Sequence, residues 1–268
     1  LIEPRFDRHD NKRLGEPTTT PGWKPPAVPD RSKTLADLVE LSRWLGDPDR
    51  DCTILGEGNT SAWLGEGSFL VKTSGSELGI VEASDFVKVR RAEVLALLDT
   101  DNLTEIEFRD RLASSREESG PGGTPSVETP LHAICLGLPG VRFVGHTHPT
   151  AVNAITCSKD FESALGHRLF PDQISCCGPR SLQVPYAEPG VMLGKALRTA
   201  LASYLDRWGE APKTIYLRNH GFVALGSSPH QVKAITQMAI KAARILAGTM
   251  AFGGPHGLEI GDTDAPAH

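Results

Sequence analysis

The sequence predicts a mixed α/β domain, on two observations. Segments in which apolar residues recur at helical spacing alternate with short apolar runs of strand length. A chain of 268 residues, 39% hydrophobic and 23% charged, also suffices to bury one substantial core. The expectation is one domain over residues 32–252, preceded by a proline-rich arm (1–31) and followed by a loose tail (253–268). The arm holds six prolines and little periodicity, and the tail holds Gly, Pro and Asp without pattern.

From Ser32, Leu35, Leu38, Leu41 and Leu45 follow helical spacing up to Gly46, which predicts a core-facing helix. Gly65-Glu66-Gly67 then links expected strands at Ser61–Leu64 and Phe69–Thr73 as a hairpin. A strand at Phe86–Val89 and a helix at Ala92–Leu98 follow. Arg116–Pro125 reads as a surface loop. A helix from about Val127 to Leu138 would set Glu128 and His132 on one face by their i, i+4 spacing. Next come a strand at Val141–His146, a turn-rich stretch over 150–185 and a long helix at 190–208. Thr214–Arg218 and Phe222–Leu225 are strand-length runs around Asn219-His220-Gly221, which places His220 at a turn or bulge. Ser228-Pro229-His230-Gln231 opens a last helix that runs to about Met250.

The formal net charge is −5, and no stretch concentrates Lys and Arg with aromatics as a nucleic-acid groove requires. No segment gives 18 apolar residues in a row, so no membrane role is expected. Five cysteines without C-x-x-C spacing argue for reduced thiols and a cytoplasmic enzyme.

The chemistry is concentrated in three histidines. His146 and His148 are two residues apart, so on a strand both point the same way and can hold one divalent ion. Without an ion, two facing imidazoles beside an apolar strand lose solvation and repel when protonated. His220 adds a third nitrogen and leaves a coordination position open. His9, His167, His230, His256 and His268, each alone, read as surface or structural residues. Glu128 is either a first-turn carboxylate favoured by the helix dipole or, near the ion, a ligand or proton carrier. His132 either supports it or is a hydrogen-bonded core histidine. Gly58-Asn59 and Ser74-Gly75 sit at strand ends and are ordinary turn signals separately. With Ser126 at a helix start they can form an anion cradle, to which Lys72 adds a charge.

In chain order these stretches read Gly56-Glu57-Gly58-Asn59-Thr60-Ser61, Val71-Lys72-Thr73-Ser74-Gly75, Pro125-Ser126-Val127-Glu128, His146-Thr147-His148-Pro149 and Asn219-His220-Gly221. The series resembles the class II aldolase/adducin family over roughly residues 34–250. The resemblance implies a three-layer α/β/α sandwich with a largely antiparallel central sheet, assembled as a homotetramer with active sites between subunits. It implies a metal at His146, His148 and His220, usually zinc, with manganese or another divalent ion as the alternative. It also implies acid/base work for Glu128, and phosphate binding by Gly58, Asn59, Ser74, Gly75 and Ser126.

A metal-bound hydroxy-carbonyl leads to an enediolate that retro-aldol cleavage, dehydration and decarboxylation share. The first reading is therefore a metal-dependent aldolase acting on a small sugar-derived hydroxy-ketone or hydroxy-acid. A dehydratase or decarboxylase is the alternative, and a non-catalytic adducin-like protein the distant one. Two departures stand out. Val127 stands where phosphate-binding members usually carry a second serine. No tyrosine lies between Pro149 and Pro185, where the aldolases place a proton donor, and His167 is the candidate replacement.

Overall fold

The computed structural model describes residues 30–117 and 122–258. Residues 1–29 of the expected arm and 259–268 of the expected tail lie outside the described residues. The elements are α1 (Arg31–Leu45), β1 (Asn59–Gly65), β2 (Ser68–Lys72), β3 (Phe86–Arg90), α2 (Arg91–Ala96), α3 (Glu105–Ser114), α4 (Thr129–Cys135) and β4 (Phe143–Thr147). They continue with α5 (Thr150–Thr156), α6 (Phe161–Ala164), α7 (Pro171–Cys177), β5 (Leu182–Val184), α8 (Val191–Trp208), β6 (Thr214–Leu217), β7 (Gly221–Gly226) and α9 (Pro229–Thr249).

The strands form one sheet in the order β3-β2-β1-β4-β7-β6-β5, and every neighbouring pair is antiparallel except β5 with β6. Side chains alternate across it, as the pleat requires. Val144, Val223 and Leu225 join a cluster with Leu131, Leu193 and Leu197 from α4 and α8. Phe143, Phe222 and Ala224 join an opposite cluster with Leu38, Leu41, Val232 and Ile235 from α1 and α9. Both sheet faces are thus covered by helices, which is the three-layer sandwich expected. Polar residues on β1 obey the same alternation. Thr60 Oγ1 meets Ser42 Oγ of α1 at 2.6 Å, and Ser61 Oγ meets His132 Nδ1 of α4 at 2.7 Å.

Three local readings are corrected. The helix expected over 127–138 is only Thr129–Cys135, because Gly137 and Gly140 turn the chain and the guanidinium of Arg91 occupies the space a side chain at 137 would need. Helix α3 escaped the apolar pattern, having only Phe108 and Leu112 buried; its reciprocal Thr104–Glu107 cap was its one signal. The turn-rich stretch 150–185 contains the strand β5 and three helices, α5, α6 and α7, of only four to seven residues that rest on tertiary packing.

Candidate functional site

The site lies where β1, β4 and the β6–β7 turn meet the start of α4. His146 is the fourth residue of β4 and fully buried, and its Nδ1 lies 3.0 Å from the carbonyl of Phe222 on β7. A carbonyl oxygen only accepts, so Nδ1 carries a proton and donates it, which turns Nε2 toward the Glu128 carboxylate and His148. His148 follows just beyond the strand, held by its N–H donating to Cys52 O at 2.8 Å. His220 comes from the three-residue turn between β6 and β7, in which Asn219 takes a left-handed conformation (φ 53°).

The three imidazoles offer ligand nitrogens that all lie within 4.8 Å of one another. The Nε2 atoms of His146 and His148 are 3.0 Å apart, close to the roughly 3.4 Å that two nitrogens on a tetrahedral zinc would show. The donor set therefore fits a divalent ion. Gly221 is part of the same arrangement. A Cβ there would lie 2.6 Å from His148 Cδ2 and 2.8 Å from Thr147 O, so a glycine is needed for the histidines to close up. Gly221→Ala is expected to cost about 1–3 kcal/mol through overpacking and to lower metal content, read from the denaturant midpoint and metal analysis.

Glu128 is the residue immediately before α4, and its carboxylate is wedged against the triad. Oε2 lies 3.2 Å from His146 Nε2, and Oε1 lies 3.1 Å from His220 Nε2. Burial pushes this carboxyl's pKa up, but His146 and His220 outweigh it and hold it well below the ordinary value. Oε1 is buried and makes no well-directed hydrogen bond, with His220 Nε2 its near neighbour. Oε2 accepts from Asn59 Nδ2 at 2.7 Å, and the same amide reaches Ser126 Oγ at 3.1 Å.

The sequence placed Glu128 and His132 together on a helix face; the structure joins them through Asn59 instead. His132 Nε2 hydrogen-bonds Asn59 Oδ1, and its Nδ1 meets Ser61 Oγ. An amide oxygen only accepts, so Nε2 carries the proton and Nδ1 accepts from Ser61. Burial and the neighbouring His146 charge push the His132 pKa down to about 3, which keeps it neutral. The chain Ser61–His132–Asn59 thus fixes which end of the Asn59 amide faces Glu128. We expect His132→Ala to keep the bound ion, lose about 1–3 kcal/mol of stability and lower turnover. Metal analysis separates this positioning role from ligation.

A cavity of about 260 Å³ opens over this centre, lined by Glu128, His148 and His220 together with Gly58, Asn59, Ser74, Gly75 and Ser126. All five cradle residues read from the sequence therefore share one wall system. Lys72 also lines it, but its Nζ donates to the carbonyls of Thr73 and Ser76. Burial lowers its pKa, against which the Asp85 and Glu128 charges push back. Residues the sequence reading passed over are Glu57, whose carboxylate lies 3.7 Å from His148 Nδ1, and Pro189 on the cavity wall. Glu57 stood in plain view inside Gly56-Glu57-Gly58. His167 is not brought to this centre: it is exposed and lines cavities on another part of the surface.

The sequence model of the Class II Aldolase and Adducin N-terminal domain matches residues 36–247. The chain belongs to this family. A curated relative, an uncharacterized oxidoreductase, YuxG, of Bacillus subtilis, is 30% identical over 214 residues, covering 72% of this chain. The chain spans only 29% of that relative's length. Among solved structures, the N-terminal class II aldolase domain of a conserved Thermoplasma acidophilum protein is 26% identical. That match covers 86% of this chain and 100% of the other, with a TM-score of 0.63. An L-fuculose-1-phosphate aldolase from Thermus thermophilus shares the fold at 17% identity, covering 83% of this chain and 97% of the other, with a TM-score of 0.58.

Proposed function

We propose that this chain is a metal-dependent lyase that cleaves a sugar-derived hydroxy-ketone or hydroxy-acid by retro-aldol chemistry. The observation that carries this reading is the Glu128 carboxylate lodged between His146 and His220 in a cavity also lined by Gly58, Asn59, Ser74, Gly75 and Ser126, which we read as an anion cradle. His146, His148 and His220 would hold a divalent ion, zinc by the chemistry of three imidazoles, with manganese as the alternative. When bound, the ion supplies Lewis-acid polarisation of a substrate carbonyl. Glu128 moves the proton at the adjacent oxygen or carbon, and the Asn59 amide orients it. Ser74, Gly75 and Ser126 hold the substrate's anionic end.

Val127 also lines the cavity and carries no hydroxyl, which favours a carboxylate or an unphosphorylated substrate over a sugar phosphate. Exposed Ile54 and Leu55 precede cavity-lining Gly56, and exposed Tyr186 precedes Pro189. Such apolar groups, next in sequence to cavity-lining residues, support an assembly in which a second copy closes the cavity, in line with a homotetramer. No helix among the described residues is long and apolar enough to cross a membrane. The oxidoreductase designation belongs to the longer relative and is not carried over to this chain.

A second reading, decarboxylation or dehydration, is favoured by one observation: no tyrosine or histidine of the 150–185 stretch lines the cavity. Under the aldolase reading, His167 would then act from a neighbouring copy. Screening phosphorylated and free sugars, with pyruvate, dihydroxyacetone phosphate, lactaldehyde and carbon dioxide all measured, decides between them. Aldehyde release supports the aldolase, and carbon dioxide without aldehyde overturns it. Unchanged turnover of His167→Ala on the identified substrate removes His167. A purified protein devoid of divalent metal would favour the non-catalytic, adducin-like reading.

A further inference from the structure

We infer that a cavity between β5 and the C-terminal end of α8 is a second ligand site, built for a small phosphorylated metabolite with at least two negative charges. The cavity measures about 530 Å³, within the usual range for small-molecule sites, and shares no lining residue with the metal-binding cavity. Its polar lining is His167, Arg180, Ser181, Gln183, Arg207 and the indole of Trp208, and no described carboxylate lines it.

The charge arrangement is what singles it out. The Arg180 and Arg207 guanidiniums sit 3.7 Å and 4.4 Å from the centroid of the same Trp208 ring. Two cations gathered on one indole repel each other, and neither has a carboxylate partner among the described residues. Arg198 and Arg218, by contrast, pair with Asp99 and Glu162. In a chain with 33 acidic and 28 basic residues, acids are not in short supply.

Behind the wall lies Arg168, only 1% exposed. Its Nε donates to Gly178 O at 2.8 Å and its Nη2 to Cys177 O at 3.5 Å, so carbonyls rather than a carboxylate hold a full positive charge in the interior. Such a charge is poorly screened and makes the neighbouring cavity attractive to anions. The negative end of the α8 dipole accounts for Arg207 in its last turn. It does not account for Arg180, which precedes β5, or for Arg168.

Planar guanidinium forks match phosphate oxygens in pairs, which is the recognition this cluster offers. Ser181 and Gln183 are already engaged, with Thr214 Oγ1 and Glu162 O, so the arginines are the principal donors. Helix α8 separates the two cavities. Pro189, just before its first turn, lines the metal-binding cavity, and Trp208 ends the helix, which is 18 residues and about 27 Å long. Within one copy of the chain, the ligand bound here is thus remote from the metal-binding cavity.

The test titrates inorganic pyrophosphate into the full chain and reads both heat and tryptophan fluorescence. The expected result is a fluorescence change that Trp208→Phe abolishes, with affinity falling about tenfold or more in the Arg180→Gln/Arg207→Gln double variant and measurably in Arg207→Gln alone. Arg244→Gln, which removes a cation from a different surface cavity, should bind like the parent. Equal binding by parent and both arginine variants places the anion elsewhere and overturns the inference, as does no binding by the parent. A change of sedimentation in the arginine variants without pyrophosphate binding by the parent overturns it too, and assigns the cluster to contact between copies.

Discussion

His220→Ala is expected to strip the divalent ion from the protein while leaving it folded. The three imidazoles come from a strand, the residue after it and a hairpin turn, so each is held in place independently of the others. Removing one leaves two nitrogens and the Glu128 carboxylate. The loss of affinity should exceed the roughly 10–100-fold that removal of an outer hydrogen-bond partner costs a metal site. Stability should change little, because clusters on both faces of the sheet bury the core without the ion. Metal analysis after dialysis, with the thermal midpoint measured alongside, checks both halves. A variant that retains a full complement of metal would show that His220 is not a ligand.

The triad was legible because its determinants are local. The H-x-H spacing of His146 and His148 carries its own geometry, and Asn219-His220-Gly221 announces a turn between two apolar runs. That Gly58, Asn59, Ser74, Gly75 and Ser126 come to one cavity was legible in part for the same reason, since Gly-Asn and Ser-Gly pairs at strand ends mark turns. What the sequence hid is what sits far apart in the chain. Asn59 and His132 are 73 residues apart, and only the antiparallel pairing of β1 with β4, under α4, brings the amide between Glu128 and His132. Helical spacing suggested a direct Glu128–His132 relation, which the start of α4 only at Thr129 and the non-helical backbone at Glu128 (φ −91°, ψ 9°) replace with a bridged one. The region 150–185 was opaque because helices of four to seven residues carry too few periods to read.

Glu128→Gln should keep the ion and much of the substrate affinity and lose turnover. The amide fills the same volume beside Asn59, His146 and His220, so the shape of the cavity floor survives. It cannot exchange a proton, and losing a general acid/base costs about 10²-fold or more in kcat. The substitution also separates the two roles the carboxylate can play. A proton carrier leaves metal content intact and moves kcat with little change in KM; a ligand takes the ion with it, and the whole site fails together. The burial of Oε1 without a well-directed hydrogen bond, beside His220 Nε2, is what makes the outcome informative, because either role can begin at that oxygen. Near-normal turnover with full metal content would leave Glu128 a structural residue beside the histidines, and the acid/base group would have to be sought on a neighbouring copy.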